Sequence, residues 1–251
     1  MKNQRSENIL SIIKHNGYNV SVNFLSDKLG VSPSTIRRDL QRLEKENKIK
    51  RSYGKAECLE EITDFLPFSI RFQKNIPEKM AACRLASTLV NEGDTVFVDA
   101  SSTACCLMRF LREKPNIKII TNGIENVNSL IQDNVEVYCT GGRLSDVNRI
   151  AFVGKRAIDF VKSMHANIAF SSTFSVSSDG YAYDICDEEI AVRQEMLKNS
   201  DKKVLVIDNK KLGKTAPFFF ADINSFDYVV CNKPISSFFK EDIETNFIFE
   251  T

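Results

Sequence analysis

Three short turns rich in hydroxyls and glycines, Asp99-Ala100-Ser101-Ser102-Thr103, Thr121-Asn122-Gly123 and Thr140-Gly141-Gly142, each follow a strand-like run of apolar residues. Their chemistry is that of anion binding. Ser101, Ser102 and Thr103 supply hydroxyl donors where a helix begins, and the free backbone N–H groups of a helix start favour a phosphate without any metal. Further on, Asp208-Asn209-Lys210-Lys211-Leu212-Gly213 follows another apolar run and adds an ammonium group. In the helical stretch from Asp187 to Ser200, Arg193 shares a side with Ile190 and Leu197, which directs its cation inward. The acidic start of that stretch, Asp187-Glu188-Glu189, is read as a complement to the helix dipole and not as a metal site. Ser and Thr cap helices routinely, so the first turn gains meaning only from the other turns and the two cations.

A second constellation lies near the N-terminus, in Val31-Ser32-Pro33-Ser34-Thr35-Ile36-Arg37-Arg38-Asp39-Leu40. Ser32 is a capping residue, Pro33 suits the first helical position, and Val31 with Ile36 occupies the two positions of a hydrophobic staple. At 100° per residue Ile36, Leu40 and Leu43 share one face, while Ser34, Arg38, Gln41 and Lys45 point the other way and Arg37 and Arg42 flank them. Apolar contacts behind and donors in front suit phosphates and base edges in a DNA groove.

The elements that must position these residues divide in two. Helical spacing of Ile9, Ile12 and Ile13 is followed by a short stretch capped by Ser21, carrying Val22, Leu25 and Leu29, and stopped at Gly30. Only Gly30, Val31 and Ser32 separate it from the next helix, the spacing of a helix-turn-helix. The basic run from Lys48 to Lys55, turned at Gly54, reads as a β-hairpin wing on the phosphate backbone. Residues 1–56 carry 12 Lys or Arg and 5 Asp or Glu, a net +7, whereas the remainder carries 22 and 28, a net −6. The total of +1 thus conceals a basic lobe on an acidic body, an electrostatic footprint of DNA binding.

Residues 58–76 form a connector in which acidic residues alternate with Leu59, Phe65, Pro67 and Phe68. Arg71, Asn75 and Lys79 recur at spacing four, with Pro77 interrupting the face they would share. A solvated spacer and a semi-rigid coupler both fit this pattern. From residue 77 onward strands alternate with helices: Thr95–Val98, Lys118–Ile120, Val135–Tyr138, Ile168–Phe170, Val204–Ile207 and Tyr228–Val230 read as strands. Such alternation predicts a mainly parallel sheet covered on both faces, with ligands beyond the carboxyl ends of its strands. The expected domains are therefore 1–57, a winged helix-turn-helix, and 77–251, an α/β sensing domain.

No segment approaches the ~18 apolar residues of a membrane span, and the first twenty residues lack a signal-peptide pattern. A cytoplasmic location follows as an expectation. Seven scattered cysteines without a CxxC pair read as buried, reduced thiols. No metal and no cofactor is expected. Phe218-Phe219-Phe220 reads as core in preference to an oligomer interface.

The run from Val31 to Leu43 resembles the N-terminal signature of the DeoR family of bacterial transcriptional regulators, and the resemblance extends over nearly the whole chain. Asp99-x-Ser101-Ser102-Thr103 is similar to the family's phosphate-binding loop, Thr121-Asn122 to its second site loop, Gly141-Gly142 to its paired glycines, and Asp208 with Lys211-x-Gly213 to its late Asp…Lys-x-Gly element. Arg71, Asn75 and Lys79 resemble its interdomain segment. The resemblance implies a DNA reader joined to a sugar-phosphate sensor whose sheet domain looks like ribose-5-phosphate isomerase and coenzyme A transferases. Two departures stand out: Arg193 replaces the family's usual Lys, a planar fork for a point donor, and Ser171-Ser172-Thr173-Phe174-Ser175 replaces a glycine-containing turn, with Phe174 set to narrow the pocket.

The expected function is a transcription regulator, read as a repressor of a carbohydrate operon, acting as a homo-oligomer (dimer or tetramer) on double-stranded operator DNA. Ser34, Thr35, Arg37, Arg38 and Gln41 would approach bases or neighbouring phosphates. Arg42, Lys45, Lys50, Arg51 and Lys55 would chiefly fix register on phosphates. A phosphorylated sugar or related anion would bind Asp99, Ser101, Ser102, Thr103, Thr121, Asn122, Gly123, Gly141, Gly142, Arg193, Asp208 and Lys211. The competing class is a sugar-phosphate isomerase-like enzyme, with Asp99, Asp184 and Glu188 as nominal acid–base groups. The isomerase's Asp-Gly-Ala-Asp element and Lys-Gly-Gly-Gly run are both missing, and fold likeness alone grants no activity. A third class, a basic module for protein or RNA, lacks an aromatic platform for single-stranded bases.

Overall fold

A computed structural model describes residues 2–15, 19–46, 49–52, 55–58, 66–214, 216–240 and 243–250. The chain divides into two compact units at Arg71 and Phe72.

The first unit contains α1 (Lys2–His15), β1 (Asn19–Ser21), α2 (Val22–Leu29), α3 (Pro33–Lys45), β2 (Ile49–Ser52) and β3 (Lys55–Cys58). The three strands form an antiparallel sheet in the order β1-β3-β2. The β2–β3 pair is the expected wing, although the turn expected at Gly54 lies outside the described residues. Ile9, Ile13, Leu25, Ile36, Leu43 and Ile49 are fully buried in one apolar cluster. Leu40 joins them at 1 % exposure, so the face marked by helical spacing is the face that packs. Ser21 caps α2, its Oγ accepting from Phe24 N at 3.2 Å. Gly30 ends that helix in the left-handed region at φ 62°, a conformation that costs other residues a steric clash.

The second unit begins with α4 (Phe68–Gln73, which crosses the division) and α5 (Ile76–Ser87). There follow β4 (Thr95–Val98), α6 (Ser102–Leu111), β5 (Lys118–Thr121), α7 (Ile124–Leu130) and β6 (Glu136–Cys139). A two-stranded hairpin, β7 (Arg143–Leu144) and β8 (Phe152–Val153), leads to α8 (Lys155–Lys162) and β9 (Ala166–Ser171). The chain closes with β10 (Ser175–Val176), β11 (Tyr181–Asp184), α9 (Asp187–Lys198), β12 (Ser200–Ile207), β13 (Phe218–Asp222), β14 (Tyr228–Cys231) and β15 (Asn246–Phe249).

Seven of these strands form one sheet in the order β15-β14-β12-β9-β4-β5-β6, and every pairing in it is parallel. Alternation along a strand sends successive side chains to opposite faces. Val96 and Val98 accordingly pack with α5 and α6 on one side, while Phe97 packs with α8 and α9 on the other. The fold is therefore mixed α/β with a large, doubly covered parallel sheet, and all six expected strands belong to it. Among the described residues, no helix is long and apolar enough to cross a membrane.

Two expectations need correction. Phe218 and Phe219 are 39 % and 53 % exposed, and only Phe220 is core. They stand on the edge strand of a small antiparallel sheet, β10-β11-β13, where a register shift opposite Ala182 and Tyr183 breaks the strict inward–outward alternation. Cys139 is exposed; Cys83, Cys105, Cys106, Cys186 and Cys231 are buried free thiols.

Candidate functional site

In the first unit Ser32 caps α3, its Oγ accepting from Thr35 N at 3.3 Å and lying 2.9 Å from the hydroxyls of Ser34 and Thr35. Ser34, Arg37, Arg38, Gln41 and Lys45 are exposed and Thr35 is half-buried. Arg42 departs from this outward set. It donates to Ser6 Oγ and lies 3.5 Å from Asp39 and 3.9 Å from Glu46. Asp39 is 5 % exposed and also accepts from Arg5 Nε at 2.6 Å, a bond that holds the Arg5 guanidinium above its usual pKa. Arg42 therefore ties α3 to α1. The backbones of Lys50, Arg51 and Lys55 lie in the wing strands; their side chains lie outside the described residues.

In the second unit the expected ligand turns all sit at the carboxyl ends of neighbouring strands, and hydrogen bonds join them. Asp99, 1 % exposed, accepts from Ser101 N, Ser171 Oγ and Ser172 N, each at 2.9 Å, binding the turn after β4 to the turn after β9. Ser101 caps α6, accepting from Ala104 N at 3.0 Å. Thr121 Oγ1 accepts from Gly123 N and Asn126 Nδ2, and Asn126 Nδ2 also reaches Asp99 O at 2.7 Å. Asn122 Nδ2 donates to Phe152 O at 3.0 Å. Lys211 Nζ lies 2.8 Å from Ser172 Oγ and 2.5 Å from Thr173 O. Asp208 caps the short 3-10 turn that carries Lys211.

Two glycines are dictated by close approach. A Cβ on Gly123 would stand 2.9 Å from Ala100 Cα, and one on Gly142, at φ 111°, would stand 2.8 Å from Val153 O. Thr103 Oγ1, Asn122 Oδ1 and Ser175 Oγ are buried without a hydrogen-bond partner among the described residues. Buried polar atoms almost always find a partner, and two of these three, Thr103 Oγ1 and Asn122 Oδ1, belong to the expected ligand turns.

Arg193 approaches from the other face of the sheet. Its Nη1 donates to Ser172 O and to Asp184 Oδ2, both at 2.8 Å, and its guanidinium lies 4.6 Å from the centre of the Phe220 ring. Burial pulls its pKa down, but the carboxylates of Asp184, Asp99 and Glu189 outweigh that and hold it above the ordinary value. It thus holds the carbonyl of Ser172, the residue whose hydroxyl receives Lys211.

The acidic start of α9 does more than balance a dipole. Glu188 takes a two-point contact from Arg143 Nη2 at 2.5 and 2.6 Å, while Glu189 accepts from Ser145 Oγ at 2.8 Å and Asn148 Nδ2 at 3.3 Å. Both fasten the β7–β8 hairpin. Burial raises the Glu189 pKa from 4.5. Its ionised form is thus disfavoured in the native state, so stability is fully present below the unfolded value and declines as pH rises through the native one. The stability of a Glu189→Gln chain relative to the parent is expected to rise from acid to neutral pH. Melting across a pH series checks this; a difference independent of pH would contradict it. Among the described residues no group of three or more His, Cys, Asp or Glu is arranged to hold a metal.

Asn126 is missed by sequence reasoning; Ser172 and Thr173 enter it only as a departing turn and Asp184 only as a nominal acid–base group, whereas here all four serve as partners of the expected residues. Lys79 was visible only as part of a connector spacing. It is 3 % exposed and donates to Ser102 Oγ at 3.2 Å.

Comparison with known proteins agrees with this layout. A model of the DeoR-like helix-turn-helix domain matches residues 5–61, and one of the DeoR C terminal sensor domain matches residues 74–233. The HTH-type transcriptional regulator YulB of Bacillus subtilis (strain 168) is 32 % identical over 213 residues, 84 % of this chain and 81 % of the relative. The glycerol-3-phosphate regulon repressor of Escherichia coli (strain K12) is 28 % identical over 232 residues, covering 92 % and 91 %. Among solved structures, ribose 5 phosphate isomerase A from Neisseria gonorrhoeae aligns with 53 % of this chain and 52 % of its own, at 12 % identity and a TM-score of 0.39. With one family model on each unit, and the sensor model alone spanning more than half of the residues, the chain belongs to the DeoR family of transcriptional regulators.

Proposed function

We propose that the chain represses a carbohydrate operon, binding operator DNA through α3 and the wing as a homo-oligomer. A phosphorylated sugar or related anion at the carboxyl edge of the parallel sheet modulates that binding. One observation carries the reading: the capped start of α6, the Lys211 ammonium and two buried oxygens without a partner among the described residues, Thr103 Oγ1 and Asn122 Oδ1, all belong to turns at the carboxyl ends of strands of the one parallel sheet. The name of the glycerol-3-phosphate regulon repressor supports the ligand class. Asp99 and Asp184 are engaged by backbone N–H groups and by Arg193, which supports regulation over acid–base catalysis.

Arg38 is exposed on α3 and is placed here as a base-reading residue. Arg38→Ala is expected to weaken operator binding by about 1–3 kcal/mol if its contact is bidentate. Lys45→Ala should weaken operator and random duplex alike. Both are measured by fluorescence anisotropy of the full chain on its own upstream DNA. Unchanged operator affinity in Arg38→Ala removes that residue from the reading set. The effector half is tested by adding glycerol 3-phosphate and hexose phosphates to the complex; a response to none of them overturns it.

A further inference from the structure

One face of α5 ends on the very residues assigned to the anion. Asn75, Lys79 and Cys83 follow at spacing four, which places them on one side of the helix. Asn75 Nδ2 donates to Asp208 Oδ1 at 3.3 Å, Lys79 Nζ to Ser102 Oγ at 3.2 Å, and Cys83 Sγ to Thr103 O at 3.1 Å. Lys79 and Cys83 are 3 % and 0 % exposed. A buried ammonium is costly unless its donors are met, so moving this face away from those loops carries an energetic cost.

The N-terminal end of the same helix is unusual. Asn75 precedes it in the left-handed region at φ 53°, and Pro77 occupies the first turn, where no backbone donor is lost. The break in the shared face thus lies at Asn75, between α4 and α5, and not at Pro77, which α5 accommodates in its first turn; Asn75 is both the join and a partner of Asp208. In the chain, α4 directly precedes this face.

We infer that Lys79 and Asn75 are positioning residues that transmit occupancy of the anion site: a ligand at the Ser102–Thr103 turn and Asp208 displaces the α5 face, and through it the segment leading to the DNA-binding unit. The inference rests on the proposed anion site and adds the path by which that site acts. A ligand shifts an equilibrium only by its differential affinity for two arrangements, and here the difference lies in whether the α5 face keeps its present partners. Each side chain acts through Ser102 or Asp208, not on the anion directly.

The test uses the full-length chain in three forms: parent, Lys79→Met and Asn75→Gly. The glycine keeps the left-handed conformation while removing the amide. Operator Kd is measured by anisotropy with and without glycerol 3-phosphate, glucose 6-phosphate and inorganic phosphate, and probe binding is measured separately by calorimetry. The ratio of the two operator Kd values is the readout, because a merely structural defect moves both alike. In the parent, coupling is expected in the usual range of about 5–150-fold. In both variants the ratio should fall towards one while Asn75→Gly retains probe binding. Undiminished coupling in a folded Asn75→Gly and Lys79→Met overturns the inference and leaves the anion site standing. Loss of probe binding itself in Lys79→Met overturns the positioning role and makes Lys79 a ligand contact. A parent that responds to none of the probes brings down the anion site, and the inference with it.

Discussion

Arg193→Ala is expected to destabilise the sensing unit by about 3–5 kcal/mol, the cost of removing one partner from a buried ion pair. The guanidinium and the Asp184 carboxyl are 6 % and 12 % exposed, and Phe174 N and Ile185 N also donate to that carboxyl. Truncation strands Asp184 away from water, frees Ser172 O and empties the space over Phe220. Arg193→Lys should fall between parent and alanine. An ammonium can still meet Asp184, but it cannot keep the planar contact with the ring and the carbonyl together. Converting Arg193 to Met and Asp184 to Leu together should recover only part of the loss: the desolvation of both charges vanishes with them, but Phe174 N, Ile185 N and Ser172 O are left without those partners. Urea denaturation followed by circular dichroism decides. A loss below about 1 kcal/mol in Arg193→Ala, the range of an exposed pair, would mean that Arg193 contributes little to the scaffold. Because Ser172 receives Lys211, the same variant should also blunt any response to phosphosugars.

The DNA-binding unit was legible because its signals are local. Capping by Ser32, Pro33 at the helix start and the Ile36–Leu40–Leu43 stripe act within a few residues of one another, and each appears as expected. The parallel strands were legible for a related reason: buried strands with small turns at their carboxyl ends are short patterns too. What stayed hidden depends on partners far along the chain. Asn246–Phe249 becomes a strand only because Tyr228–Cys231 lies beside it, and Tyr181–Asp184 because Phe218–Asp222 does. The direction of a charge was equally obscure. Arg42 follows the outward spacing of α3, but buried Asp39 draws it back. Lys79 follows a connector spacing and lies almost wholly buried against Ser102. Composition assigns a lysine to solvent; only the fold shows which lysine has been enclosed.

Asp99→Ala is expected to cost a comparable amount, about 3–5 kcal/mol, by leaving buried donors with nothing to meet. The carboxylate takes three hydrogen bonds from two separate turns, and two of those donors are backbone N–H groups that cannot turn elsewhere. Asp99→Asn is the sharper variant. Its amide keeps one acceptor oxygen but turns an NH2 group towards either Ser101 N or Ser172 N, so at least one bond becomes a donor–donor contact. A loss of about 1.5–3 kcal/mol is expected, the scale of a hydrogen bond to a charged group. The two accounts of Asp99 diverge here. If it were a catalytic base, the asparagine chain would melt like the parent and lose a sugar-phosphate turnover that the parent possesses. If it is the clamp between the turns after β4 and β9, the asparagine chain melts at lower temperature and its response to phosphosugars weakens with it. Thermal denaturation beside an isomerase assay on ribose 5-phosphate separates them. Parent-like melting of Asp99→Asn would remove the clamp, and with it the account of what holds the turns after β4 and β9 together.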